Sequence, residues 1–137
     1  MNVVVDTSVW SLALRRRHPS DAPEVAELAE LVREGRAVVV GPVRQELLSG
    51  IRGQGDYESL RDHLRAFPDL ALESSDYEEA ARLFNLCRER GVQGSNTDFL
   101  ICAIASRRRL AILTTDSDFA TFARIVPLRL HASRAAR

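Results

Sequence analysis

The chain has 137 residues, 45% of them hydrophobic and 28% charged, with zero net charge; that is the length and balance of one globular domain, not of two domains or a disordered segment. No apolar run approaches the ~18 residues of a membrane span, and Val3–Val5 before Asp6 is too short for a secretory core, so the expected setting is the cytoplasm. All 19 basic residues are Arg, which excludes a Lys-dependent phosphate loop and Schiff-base chemistry but leaves forked guanidiniums that suit phosphate.

Residues 2–5 read as a buried strand, and a helix follows from about Thr7 to Arg15. Asp21 three residues before Glu24, with Pro23 between, signals the start of a second helix that runs to Gly35. Ala37–Val40 is a second short apolar strand. Gly41-Pro42 opens a helix whose inner face carries Val43, Leu47, Leu48 and Ile51. Gly50, Gly53 and Gly55 loosen the connection to an amphipathic helix at about 56–67, which Phe67-Pro68 stops. Leu70–Leu72 is a candidate third strand. Ser75 with Glu78 predicts a capped helix reaching Arg90, closed by Gly91 and Gly94. Asn96-Thr97-Asp98 then leads into Phe99–Ala105, apolar on every side and so a central buried helix. Leu110–Leu113 is the fourth strand, Asp116–Ala123 a short helix, and Pro127–His131 the fifth strand. The tail, 132–137, is polar.

Short Val-rich strands alternating with helices predict an α/β fold, a three-layer α/β/α sandwich around a five-stranded parallel sheet. The expected domain spans 1–131. Cys87 and Cys102 lie in apolar helical stretches without a partner at metal-ligand spacing, and read as reduced packing residues.

Four acids fall at one edge of this plan. Asp6 and Asp116 follow strands, on the sheet's carboxyl rim, where ligands of α/β sheets bind. Asp98 and Glu46 lie near the starts of helices that begin on that rim in right-handed β-α-β winding. Each has an ordinary explanation alone. Asp6 can cap the first helix, Asp98 suits a helix's first turn, Asp116 can serve a turn, and Glu46 can be a solvated helix residue. Together they bring four carboxylates to one crevice. Two carboxylates ~4 Å apart repel by roughly 4 kcal/mol at an effective dielectric of 20, so such a site raises a pKa or recruits a cation. With oxygen ligands alone, the cation expected is Mg²⁺ or Mn²⁺, which can activate water for attack on a phosphodiester.

At these residues the chain resembles the PIN-domain ribonucleases, and in particular the VapC toxins of VapBC toxin–antitoxin pairs. The matching pieces are Val5-Asp6-Thr7-Ser8, the Glu46 of Val43-Arg-Gln-Glu46-Leu-Leu-Ser-Gly50, the Asp98 of Asn96-Thr-Asp98-Phe-Leu-Ile, and Leu113-Thr114-Thr-Asp116-Ser-Asp118-Phe119. The resemblance implies a five-stranded parallel sheet, Mg²⁺- or Mn²⁺-dependent endoribonuclease activity, a cognate VapB-type antitoxin and a homodimer. It makes Asp6, Glu46, Asp98 and Asp116 the catalytic and metal-holding quartet, Asp118 an accessory acid, and Thr7 and Thr114 hydroxyls lining the site.

Arg15, Arg16 and Arg17 form one basic run and Arg107–Arg109 another. Either can contact an RNA backbone, and either can be a solvated helix end that favours the dipole. Trp10 reads as a packing residue. His18, His63 and His131 have no nucleophile to serve. A phosphoryl-carrier or dehalogenase-like reading lacks its Lys, and Ser8 stands where a second acid would be. The alternative that survives is a non-catalytic PIN-like module binding an antitoxin or RNA.

Overall fold

A computed structural model describes residues 1–15, 18 and 20–134. Arg16 and Arg17 of the first basic run, and the last three residues of the tail, lie outside that set. In chain order the elements are β1 (Val3–Val5), α1 (Thr7–Leu14), α2 (Pro23–Arg33), β2 (Ala37–Val38), α3 (Gly41–Leu48), α4 (Gln54–Leu64), α5 (Ser74–Glu89), α6 (Asn96–Arg108), β3 (Ala111–Leu113) and α7 (Asp118–Phe122).

The sheet is parallel throughout, in the order β2-β1-β3, with Val4 between Val38 and Ile112. Every residue of β1 and β3 is buried. Successive side chains of a strand point to opposite faces, so helices must cover both sides of the sheet. That is the arrangement expected of a parallel sheet in an α/β protein.

The expectation of five strands is corrected to three. The two missing strands survive as single parallel bridges at the outer edges, Val39 with Asp69 beside β2 and Ile112 with Leu130 beside β3. On the first edge, Pro68 supplies no N–H, and Leu70 N–H donates to the Val39 carbonyl at 2.9 Å. On the second, Ile112 N–H donates to Arg129 and His131 N–H donates to Ile112, 2.9 and 2.7 Å. The chain then leaves the sheet because His131 and Arg134 bind Glu27 on α2.

Two helix starts also differ from the sequence reading. α5 is opened by a capping box between Glu73 and Asp76, in place of Ser75 and Glu78. α2 follows Ala22 with no side-chain cap, and Ser20 Oγ accepts from the Ala22 N–H, 3.1 Å.

α6 is the central helix. Phe99 through Ala105 are all buried, and the helix packs along α5. Trp10, Phe99, Phe119 and Phe122 are the largest fully buried side chains. Trp10 meets Phe67 edge-on at 5.0 Å between ring centroids. Cys87 and Cys102 are free and buried, and burial pushes both thiols up, as expected for packing residues. Among the described residues, no helix is long and apolar enough to cross a membrane.

Candidate active site

β1 runs out into Asp6, whose N–H makes the last sheet bond, to the Leu113 carbonyl at 2.9 Å. Asp6 holds the N-cap position of α1 in an extended conformation, yet its side chain makes no cap hydrogen bond. The capping explanation for Asp6 therefore fails. Its carboxylate turns across the sheet instead: Oδ2 accepts from Ser8 Oγ and from Thr114 Oγ1, both at 2.8 Å. Asp6 is only 5% exposed, and its hydrogen-bond donors are neutral hydroxyls. They satisfy one oxygen without cancelling the charge, which leaves a buried anion in need of a counter-charge.

The other acids approach from three further segments. Thr7 Oγ1 donates to Glu46 Oε1 at 3.1 Å, tying the start of α1 to the exposed acid of α3. Asp98 does cap its helix: Oδ2 accepts from Ser95 N–H while Ser95 Oγ accepts from Asp98 N–H, both at 3.0 Å. Asp116 closes a local turn in which Oδ1 accepts from Asp118 N–H, 2.9 Å. Its own N–H donates to Thr114 Oγ1, 2.9 Å, the same hydroxyl that serves Asp6. One threonine thus holds the Asp6 carboxylate and the Asp116 backbone.

In each of the four acids, one oxygen is held by a protein donor. No described residue donates a hydrogen bond to the other. The charges also act on one another. Burial pushes the Asp98 carboxyl up, and the neighbouring Asp6 and Asp116 push it further, against the Ser95 hydrogen bonds. Asp6, Asp98 and Asp116 are therefore one electrostatic unit. Among the described residues, no three His, Cys, Asp or Glu side chains close into a ready-made metal cage. The donor set is nevertheless that of a hard divalent cation: oxygen only, negative, with one free lobe per carboxylate.

Of the residues predicted for the site, Asp6, Thr114 and Asp116 are joined by hydrogen bonds, Thr7 and Glu46 form a second pair, and Asp98 is linked to Asp6 and Asp116 by charge. Asp118 is exposed, and its backbone rather than its carboxylate touches Asp116. Arg15 ends α1 and lines a separate groove with Gly50 and Arg52. Arg107 and Arg108 are committed elsewhere, paired to the buried Asp76, so two of the three arginines in the second basic run form a structural clamp. Ser8 is the residue the sequence reading undervalued. Its hydroxyl links Asp6 to the Thr115 N–H, 3.2 Å, and its position two residues after a strand-end Asp was the available signal.

A parallel α/β sheet whose strand ends and following helices present carboxylates to one rim defines an acid-centred α/β domain. The PIN domain matches residues 3–125, and the chain belongs to that family. A VapC ribonuclease of Mycobacterium bovis is 29% identical over 134 residues, covering 96% of this chain and 99% of its own. Ribonuclease VapC11 of Mycobacterium tuberculosis matches to the same extent. Among solved structures, VapBC2 of Rickettsia felis, bound to a DNA fragment from its promoter, is similar with a TM-score of 0.76 at 20% identity. That match covers 96% of this chain and 98% of the other.

Proposed function

We propose that this protein is a metal-dependent endoribonuclease, the toxin of a VapBC-type pair. In this reading it acts in the cytoplasm as a homodimer, through one nuclease domain over residues 1–131, and a VapB-type antitoxin holds it in check. The observation that carries the reading is the shared acidic rim: Thr114 Oγ1 donates to the Asp6 carboxylate and accepts from the Asp116 N–H, and both acids push the Asp98 carboxyl up. Similarity to ribonucleases over 96% of the chain supports the same conclusion.

Asp6, Asp98 and Asp116 would hold Mg²⁺ or Mn²⁺, with Glu46 at the edge. Such an ion, when bound, polarises the phosphate and lowers the pKa of a water. The chain's own groups do the remaining work. Thr114 and Ser8 fix the Asp6 carboxylate, so its free oxygen points in one direction without reorganisation. Thr7 restrains Glu46, whose free oxygen is suited to orient a water and take its proton. Asp118 extends the negative rim, and Arg15, with Arg16 and Arg17, offers backbone contacts to RNA.

The test is cleavage of single-stranded RNA with Mg²⁺ or Mn²⁺. EDTA should abolish it, and Asp6→Asn and Asp98→Asn should each lower it by roughly a hundredfold or more. Cleavage that survives EDTA and both substitutions would overturn the proposal.

A further inference from the structure

A cleft of about 530 Å³ opens beside the acids, between the start of α3, the outer face of α5 and the first turn of α6. Its lining includes Pro42, Tyr77, Phe84, Asn85, Asn96 and Thr97. Asn96 and Thr97 immediately precede Asp98, and Pro42 lies one helical turn before Glu46, about 5–6 Å along the axis. The cleft and the acid rim are thus built from the same two helix starts.

Three features of the cleft suit a nucleobase. Its lining carries no charged side chain, so it favours a neutral ligand over a phosphate. It offers two aromatic rings. Tyr77 is 54% exposed, and Phe84 is half-buried, held edge-on to Phe99 at 5.5 Å with the Arg88 guanidinium over its ring at 5.8 Å. Asn85 and Asn96 are exposed, and among the described residues neither side-chain amide has a hydrogen-bond partner in the protein. An amide presents a donor and an acceptor side by side, as base edges do. Aromatic faces for stacking, with amides to read an edge, are the means by which proteins recognise single-stranded RNA. The platform is also rigid. Asp76, next to Tyr77, is fully buried and bound to the Glu73 N–H at 2.8 Å and to Arg108 at 2.6 Å.

We propose that this cleft is the base-recognition subsite of the nuclease. A base of single-stranded RNA adjoining the bond to be cut stacks against Tyr77, packs beside Phe84 and is read by Asn85 and Asn96. This rests on the nuclease reading above and adds the determinant of where it cuts. The phosphate stays with the acids, and the base enters the uncharged cleft.

The experiment has two arms. In the first, a set of single-stranded oligoribonucleotides randomised around one position is cleaved with Mn²⁺ by the wild-type protein and by Tyr77→Ala and Asn96→Ala. Discrimination at one position next to the cut should fall by about five- to a hundredfold in kcat/KM. In the second, binding of oligoribonucleotides carrying one abasic site is measured in EDTA by fluorescence anisotropy. One abasic position should weaken the wild-type complex and leave the Tyr77→Ala complex unaffected. If the wild type does not cleave but this abasic effect holds, the nuclease reading falls and the subsite stands. Unchanged discrimination in both variants, together with no Tyr77-dependent abasic position, overturns the subsite. So does conversion of a dimer to a monomer by Tyr77→Ala, seen by light scattering, with base preference intact, because a second copy of the chain would then cover the cleft.

Discussion

Asp76 and Asp6 are both buried carboxylates, and their partners decide what each can do. Asp76 accepts from the Glu73 N–H and from the guanidiniums of Arg107 and Arg108. Burial pushes its carboxyl up, but these donors outweigh that effect and hold it below the ordinary 3.8. Its charge is cancelled in place, so it clamps the start of α5 to the end of α6. Among the described residues, Asp6 has only the Ser8 and Thr114 hydroxyls as side-chain donors, so its charge meets no guanidinium. Replacing Asp76 with Asn should cost about 3 kcal/mol at pH 7, because it leaves two half-buried guanidiniums without their counter-ion; urea denaturation measures this. The sign with pH follows from the lowered carboxyl. Its stabilisation is present above the unfolded value near 3.8 and is lost as pH falls through the folded one. The gap between wild type and Asp76→Asn should therefore shrink below about pH 4, and a constant gap down to pH 2 would exclude the clamp.

At the level of elements, the spacing of the acids depends on how α6 and α7 pack. Phe99 follows Asp98, Phe119 follows Asp118, and both rings meet Phe122, at 4.9 and 5.3 Å between centroids. Gly94, just before the Ser95 cap, lies flat against this cluster. A Cβ there would sit 2.7 Å from the Phe122 ring and 2.9 Å from Phe99. Gly94→Ala should therefore destabilise the protein by about 1–3 kcal/mol through overpacking, read as a lowered denaturation midpoint. Gly55→Ala, in open space within α4, serves as the control and should leave the midpoint unchanged or raise it slightly. The same scale explains what the sequence mispredicted. Leu70–Leu72 and Pro127–His131 have the composition of strands, but a strand at a sheet edge lasts only as long as nothing else claims its backbone. α5 already begins at Ser74, and Glu27 draws off the segment after Leu130.

Across the whole molecule, the segment at 131–134 is tied to α2 over a separation of about a hundred residues. Glu27, 2% exposed, takes His131 Nε2 at 2.7 Å and the Arg134 N–H at 2.9 Å, and Arg134 continues to Glu34. Burial pushes the Glu27 carboxyl up, and the contacts from Arg134 and His131 bring it below 4.5. A chain ending at residue 131 should melt at a lower temperature by calorimetry, because a buried carboxylate loses its Arg134 donors. The wild-type contribution is present above the unfolded value of about 4.5 and fades as pH falls through the folded one. The deficit of the shortened chain should therefore be greatest near neutrality. Equal melting temperatures at pH 7 would mean that the segment adds nothing to the fold.

Apolar periodicity and strand-end polarity are local patterns, so the helices, the centre of the parallel sheet and the four candidate acids were legible in the chain alone. The sequence could not choose between Asp6 as a cap and Asp6 as a site residue, since both require an Asp after a strand. The fold removes the cap reading by turning the Asp6 carboxylate to Thr114, 2.8 Å away and more than a hundred residues on. The outer strands and the Asp76 clamp were hidden for the same reason. Edge pairing and buried ion pairs depend on which distant groups compete for the same backbone or charge, and no local pattern records that competition.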